Sequence, residues 1–272
     1  MSKILVFGSD GMLGSALVRR LRDSGVSVIG TSLSGSADIQ NIDISSLHCL
    51  RTAFLFARPT VVINCAGIVK SETQNEHMMY EVNARAPHQI AAIAKTLNCK
   101  LLHISTDCVF DGKNGNYDEN SSTNANDAYG RSKAEGEDVA RHPHCVVLRT
   151  SFIGRDLRRK RGLLEWLLRS DTVVGFSKAK WSGLSAPELA RVITKIALTC
   201  PEISGLYNVP GPVITKANLI RLLAKSFKLN TQISDAENPV IDRTLNGDKL
   251  KNEIGYSAPD WKEMANELAE QS

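Results

Sequence analysis

Tyr129 and Lys133 stand four residues apart, in the stretch Ala128-Tyr129-Gly130-Arg131-Ser132-Lys133. On a helix that spacing puts both side chains on one face, one turn apart. A free phenol, with a pKa of roughly 10, is a weak acid-base catalyst near neutrality. A neighbouring ammonium favours the phenolate and lowers that value. Tyr129 could then give a proton to a carbonyl oxygen as hydride reaches its carbon. Thr106, in the hydroxyl-rich Ser105-Thr106-Asp107, would hold that same oxygen. Taken alone, Tyr-x-x-x-Lys also fits a solvated helix face. That reading asks for no hydroxyl-ended strand and no phosphate-binding turn upstream.

Such a turn is present. Ile4 to Phe7 is a short apolar run suited to a buried parallel strand, and Gly8-x-x-Gly11-x-x-Gly14 follows it. Leu13, Ala16, Leu17 and Leu21 then recur on one helical face, with Arg19, Arg20 and Arg22 off it. Gly8 and Gly11 let the backbone turn tightly and approach a pyrophosphate, and Gly14 lets helix and strand pack closely. The helix start presents N–H groups and a positive dipole end to phosphates. Together these elements describe a nicotinamide dinucleotide site with a proton donor beside it. An oxidised nicotinamide ring would add to the lowering of the Tyr129 pKa. An acid closing the second strand would favour NAD by binding the ribose 2′-hydroxyl. Here Gly30, Thr31, Ser32, Leu33 and Ser34 stand there, with no acid before Asp38. Thr31 and Ser32 offer hydroxyls to the cofactor, although no arginine stands ready for a 2′-phosphate. NADPH is the expected cofactor, with NADH as the other candidate.

In this order and spacing the chain resembles the extended short-chain dehydrogenases/reductases, and among them the dTDP-4-dehydrorhamnose reductases. The resemblance rests on Gly8-x-x-Gly11-x-x-Gly14, Asp43-Ile44, Asn64-Cys65-Ala66-Gly67, Val82-Asn83-Ala84, Tyr129-Gly130-x-Ser132-Lys133 and Leu148-Arg149-Thr150-Ser151. Its most specific block is Ser105-Thr106-Asp107-Cys108-Val109-Phe110-Asp111-Gly112. It covers most of the first 155 residues and is thinner beyond, at Gly162 to Leu168, Trp181 to Ala190 and Gly205 to Asn208. The resemblance implies that Thr106, Tyr129 and Lys133 are the catalytic triad. It places Gly8, Met12 and Leu13 in the pyrophosphate loop and Asp43 and Ile44 around the adenine. Cys65, Ala66 and Gly67 would line the cofactor, with Asn83 also on the cofactor side. Asp107, Cys108, Val109, Phe152, Arg155 and Trp181 are the expected substrate contacts. Cys108 stands where the family usually has Tyr, and Phe152 where it often has Trp. Both departures fall near the expected sugar site and bear on substrate identity.

Composition is that of an ordinary globular chain: 272 residues, 42% hydrophobic and 23% charged. No apolar run is long enough to span a bilayer, and the chain enters a strand directly after Lys3, so no membrane partner and a cytoplasmic location are expected. A net charge of +4 is too small to imply nucleic acid. Cys49, Cys65, Cys99, Cys108, Cys145 and Cys200 form no Cys-x-x-Cys and read as reduced, mostly inert thiols. The six histidines show no ligand spacing, so no catalytic metal is expected. Arg155, Arg158, Arg159, Lys160 and Arg161 form the one conspicuous basic run. It reads either as a solvated loop or as a clamp for anionic substrate phosphates.

The elements that must position these residues alternate along the chain. Strands are expected at Ile4–Phe7, Val26–Gly30, Val61–Cys65, Leu101–Thr106 and Val146–Arg149. Helices are expected near Met12–Arg22, Ser45–Ala57, Glu76–Leu97, Ala128–Val139, Leu163–Arg169, Pro187–Thr199 and Lys216–Phe227. Alternation of this kind makes an α/β fold with a doubly wound, Rossmann-type parallel sheet. Residues 1–151 would form the dinucleotide-binding domain and 152–272 mainly a smaller substrate lobe. The stretches near Val173 and Ala186–Thr199 are candidates to return to the main sheet.

The resemblance implies an NADPH-dependent reductase of a nucleotide-linked 4-keto-6-deoxy-sugar, serving polysaccharide precursor synthesis. The nucleotide is dTDP or UDP, the sugar can carry a 2-acetamido group, and a homodimer is left open. Two other classes stay open. A sugar-nucleotide 4-epimerase would keep NAD tightly bound. A non-catalytic regulatory subunit of the methionine adenosyltransferase type would bind NADP without turnover.

Overall fold

The apolar runs become parallel strands because each is buried on both faces. The structure is a computed structural model describing residues 3–33, 37–69, 72, 75–156 and 158–271; Ser34 of the second-strand turn lies outside these. In chain order the first half holds β1 (Lys3–Phe7), α1 (Met12–Asp23), β2 (Ser27–Thr31), α2 (Leu47–Ala57), β3 (Val61–Asn64), α3 (Glu76–Tyr80), α4 (Ala86–Thr96), β4 (Lys100–Thr106), α5 (Ala128–Gly136) and β5 (Cys145–Thr150). Next come β6 (Phe152–Ile153), α6 (Leu163–Leu167), β7 (Thr172–Phe176), β8 (Ala179–Trp181), β9 (Leu184–Ser185), α7 (Ala186–Thr199) and β10 (Gly205–Asn208). The last elements are β11 (Ile214–Thr215), α8 (Lys216–Ser226), β12 (Gln232–Ala236), β13 (Ile241–Asp242), α9 (Asp248–Ile254) and α10 (Trp261–Glu270).

The central sheet has six parallel strands in the order β10-β5-β4-β3-β1-β2. Alternate residues face opposite layers, as the strand pleat requires. Ile4, Val6, Ile63, Ile104 and Leu148 join the core that holds Leu17 of α1 and Ile193 of α7. Leu5, Phe7, Val62, Leu101 and Val147 join the core under α2 and α4. The chain winds outward from β1 in both directions, so the switch point falls between β1 and β3. In open α/β sheets, ligands bind in that crevice at the carboxyl ends of the strands.

Two details differ from the sequence expectations. The sixth strand is β10, which pairs with β5 from Gly205↔Val146 to Asn208↔Arg149. Its four residues include a glycine and only one aliphatic side chain, so no periodicity announces it. Val173, a candidate for the main sheet, lies in β7, which pairs with β12 in a separate two-stranded sheet. The stretch Ala186–Thr199 returns only as α7, which packs on α1 against the sheet's outer face.

The helix expected over Glu76–Leu97 carries a π-helical turn at Glu81–Arg85 between α3 and α4. Such one-turn bulges often mark functional regions. Here it holds Asn83 fully buried, with its amide turned toward the loop after β3.

Candidate active site

The glycine turn forms as its spacing implies. Gly8 has φ +74° and would place a Cβ 2.8 Å from the Ala66 Cα, which explains why only glycine fits. A Cβ on Gly14 would run into the Gly8 carbonyl, so α1 sits directly on the turn. Gly8 and Ser9 N–H groups donate to the Thr31 carbonyl at 3.1 and 3.0 Å, tying the turn to β2. Other helices receive side-chain caps, from Ser46 on α2, Asp127 on α5 and Ser185 on α7. Gly11 gives α1 none, and no acid stands in its first turn. The opening N–H groups of α1 are therefore left for an anion.

Gly8, Gly11, Ser32, Asp43, Ile44, Cys65, Ala66 and Gly67 line one cleft of about 560 Å³. An uncapped helix start, a glycine turn that admits no Cβ at Gly8 or Gly14 and the apolar walls of Ile42 and Ile44 fit a dinucleotide. Burial pushes the Cys65 thiol up to about 12 against the pull of Lys133, so it is a neutral wall rather than a nucleophile. Asp43 is held in place by the backbone N–H and hydroxyl of Ser45, at 2.9 and 2.7 Å.

Several expected cofactor residues act from behind this surface. Thr31 is buried, its hydroxyl 3.5 Å from the Val6 carbonyl and its own carbonyl taken by the glycine turn. The Leu13 side chain belongs to the core. Met12 lies over Gly154 and Gly162 instead of the cleft floor. Asn83 bonds both the N–H and the carbonyl of Ile68, at 2.9 and 2.8 Å, and the Ser132 hydroxyl at 3.2 Å. It braces the loop after β3 against α5.

Thr106, Tyr129 and Lys133 converge where β4 ends and α5 begins. The Tyr129 phenol lies close enough to the Thr106 hydroxyl for the two to interact. Thr106 Oγ1 also accepts the Cys108 N–H at 3.1 Å. Buried Lys133 donates from Nζ to the Ile104 carbonyl at 2.6 Å. Burial, with Cys108 adding to it, raises the Tyr129 phenol above its ordinary value, and the Thr106 hydroxyl only partly opposes this. The lowering expected from Lys133 is not among the influences on the phenol, which desolvation dominates, and the phenol stays protonated through neutral pH, as a proton donor must. Burial lowers Lys133 to about 8, with Glu137 and Cys65 holding it up.

The other wall is charged in a way the sequence did not disclose. Asp107 is buried, and burial raises its carboxyl while Lys216 and Arg243 oppose that. Arg243 donates to the Phe110 carbonyl at 2.9 Å and reaches the Cys108 Sγ at 3.8 Å. Lys216 Nζ sits 3.8 Å above the Trp181 ring. Lys216 also lines a second cavity of about 890 Å³ with Leu163, Trp166, Val173, Phe176 and Ile233. Trp166 and Phe176 remain 43% and 37% exposed there, an apolar opening that connects through Lys216 to the catalytic end. Lys216 and Arg243 come from α8 and the stretch after β13, more than 75 residues beyond Lys133, so no local motif marked them.

Some of the expected substrate contacts, and the rest of the basic run, lie elsewhere. Val109 is fully buried in a small core with Phe110, Tyr117 and Leu245. Arg155 pairs through Nε with the buried Glu165 carboxylate at 2.7 Å, which makes it an anchor for its loop. Arg158, Arg159 and Arg161 line the dinucleotide cleft rather than the cavity beyond Tyr129. Phe152 is partly buried against the main core at the start of the lobe. Among the described residues no group of three or more His, Cys, Asp or Glu side chains could hold a metal ion, and no helix is long and apolar enough to cross a membrane.

The chain is similar to several known proteins. A family described as the RmlD substrate binding domain matches residues 2–171. A dTDP-4-dehydrorhamnose reductase of Aggregatibacter actinomycetemcomitans is 32% identical, with 96% of each chain covered. Methionine adenosyltransferase 2 subunit beta of Xenopus tropicalis is 26% identical, covering 84% of this chain and 72% of that one. The solved dTDP-4-dehydrorhamnose reductase of Bacillus anthracis, a complex with NADP, superposes with a TM-score of 0.88 over all of both chains at 19% identity, which shows the same fold.

Proposed function

The chain belongs to the RmlD substrate binding domain family, and from that premise we infer that it is an NADPH-dependent reductase of a nucleotide-linked 4-keto-6-deoxy-sugar. The observation that carries this reading is the meeting of Tyr129 with Thr106 near buried Lys133, whose charge acts on Cys65 in the wall of a cleft that begins on an uncapped helix start. A dinucleotide held in that cleft would supply hydride to the keto carbon. Tyr129 gives its phenolic proton to the oxygen that becomes the alcohol. Thr106 orients that oxygen through its hydroxyl. Lys133 would supply a positive charge on the same helix face as the phenol, and its bond to Ile104 fixes where that charge sits.

The same reading assigns the lobe to the nucleotide. The open apolar cavity with Trp166 and Phe176 suits a base, and Lys216 between it and Asp107 suits the diphosphate that joins base to sugar. Cofactor choice rests on Ser32, which lines the cleft, while Asp38 accepts the Gly30 N–H of β2 and is held by Arg22 rather than lining that cleft. The test is NADPH oxidation against a panel of dTDP- and UDP-linked 4-keto-6-deoxy-sugars. Turnover with one of them is the expected result. Dinucleotide binding without turnover on any of them would favour the non-catalytic subunit that the Xenopus relative represents. Purified protein already carrying NAD and interconverting C4 epimers would favour the epimerase.

A further inference from the structure

The basic run divides into an anchor and a strap. Arg155 and the Asp156 N–H both bind the Glu165 carboxylate, at 2.7 and 3.1 Å, fixing the base of the segment. Asp156 then accepts the Arg159 N–H through its side chain at 2.9 Å and the Lys160 N–H through its carbonyl at 2.8 Å. From that fixed base the next arginines reach across the dinucleotide cleft. Arg158 pairs with Asp10, which sits inside the glycine turn. Arg159 and Arg161 both pair with Glu72, whose carboxylate also accepts the Val69 N–H at 2.9 Å beyond β3.

These pairs sit in an unusual place. Asp10, Asp43 and Glu72 all line the cleft that would receive a diphosphate. Without the strap, three carboxylates would face the dianion and oppose its entry. The three arginines cancel that charge, and their planar forks match phosphate oxygens at least as well as carboxylates. We propose that Arg158, Arg159 and Arg161 form a clamp for the dinucleotide's diphosphate, exchanging Asp10 and Glu72 for phosphate oxygens when the cofactor enters. This rests on the reading above that the cleft takes a nicotinamide dinucleotide. It assigns the basic run to the cofactor instead of the sugar nucleotide. It also gives the carboxylates a role as competitors that hold the clamp ready.

The test is direct titration of the full chain with NADP+ and with NAD+, followed by calorimetry with no sugar nucleotide present. Arg158→Gln, and Arg159→Gln with Arg161→Gln, should each weaken both dinucleotides by about three- to tenfold, since both carry the diphosphate. Asp10→Asn and Glu72→Gln should tighten both, because each removes a competitor. The differences should shrink as salt is raised. Arginine variants that bind like wild type overturn the clamp and leave the cofactor reading standing. A loss confined to NADP+ overturns it too, placing the arginines on the 2′-phosphate. Carboxamide variants that bind more weakly than wild type overturn the exchange. A wild-type chain that binds neither dinucleotide overturns the cofactor reading and the clamp with it.

Discussion

Glu137 takes two edges of Arg149 at once: Nη2 lies 2.7 Å from Oε2, and Nε lies 3.0 Å from each carboxylate oxygen, with both side chains buried. The same carboxylate accepts the Ser105 hydroxyl at 2.5 Å. Ser105 precedes Thr106 on β4, and Glu137 lies one helical turn beyond Lys133. The pair therefore ties the ends of β4, β5 and α5 together beneath the proposed proton donor. Breaking a buried pair from one side is costly because a charge is left without a partner. Glu137→Gln should lose about 3–5 kcal/mol of stability, read from urea unfolding. A double replacement, Glu137→Leu with Arg149→Met, should lose less. Equal losses in the two variants would show that the pair's charge is not what matters.

Tyr129→Phe keeps the ring and removes the proton. General acid catalysis is typically worth about 10²- to 10⁴-fold, so kcat should fall by that order. The dissociation constant for NADPH should change little, since the phenol lies beyond the diphosphate cleft. Near wild-type kcat in this variant would remove Tyr129 from the mechanism.

The depressed Lys133 pKa, about 8 against 10.5 for an ordinary lysine, makes a signed prediction about stability. Between these values the unfolded chain holds more protons than the folded one at this site. Stability contributed by Lys133 therefore rises with pH through that window, and below about pH 8 the buried ammonium is a full penalty. Lys133→Met should be most stabilising relative to wild type near pH 7 and should lose that advantage by pH 10. Unfolding curves at several pH values measure this. A difference that stays constant with pH would contradict the depressed value.

Ser32 is buried at the cleft wall where β2 ends. Ser32→Asp should set a carboxylate near the adenosine ribose and weaken NADPH more than NADH, through repulsion of a 2′-phosphate. The ratio of kcat/KM for the two cofactors reports it. A wild-type preference for NADH would show that the β2 end does not select for the 2′-phosphate.

Lys216 joins the catalytic end to the lobe cavity while stacked on Trp181. Lys216→Met keeps much of the stem and removes the charge. The sugar-nucleotide KM should rise by about tenfold, with kcat largely kept, because a ground-state contact is lost. NADPH affinity should stay the same. If instead NADPH binding falls and the sugar-nucleotide KM does not, Lys216 serves the other cleft.

Much of this protein is written locally in its sequence. Apolar runs such as Ile4–Phe7 and Val146–Leu148 specify strands buried on both faces, and the recurrence of Leu13, Leu17 and Leu21 specifies the face of α1. The Gly8, Gly11 and Gly14 spacing determines a turn that admits no Cβ at two of its positions. The Tyr129–Lys133 spacing places two groups one turn apart. These features depend on neighbours a few residues away, so period and spacing reveal them.

Only the tertiary structure decided where the charges meet. The arginine run reads equally well as solvated or as facing substrate until Arg158 is seen against Asp10, 148 residues earlier, and Arg159 against Glu72, 87 residues earlier. Thr31 and Val109 look like site residues in sequence but turn inward, because strand register and core packing set their direction. Lys216, Arg243 and Glu137 carry no local signature at all. Their surroundings are assembled by parallel strand pairing and by the lobe folding back on β4, contacts between distant segments. The field at the site follows from those long-range closures, and desolvation within them is what raises Tyr129 and lowers Lys133.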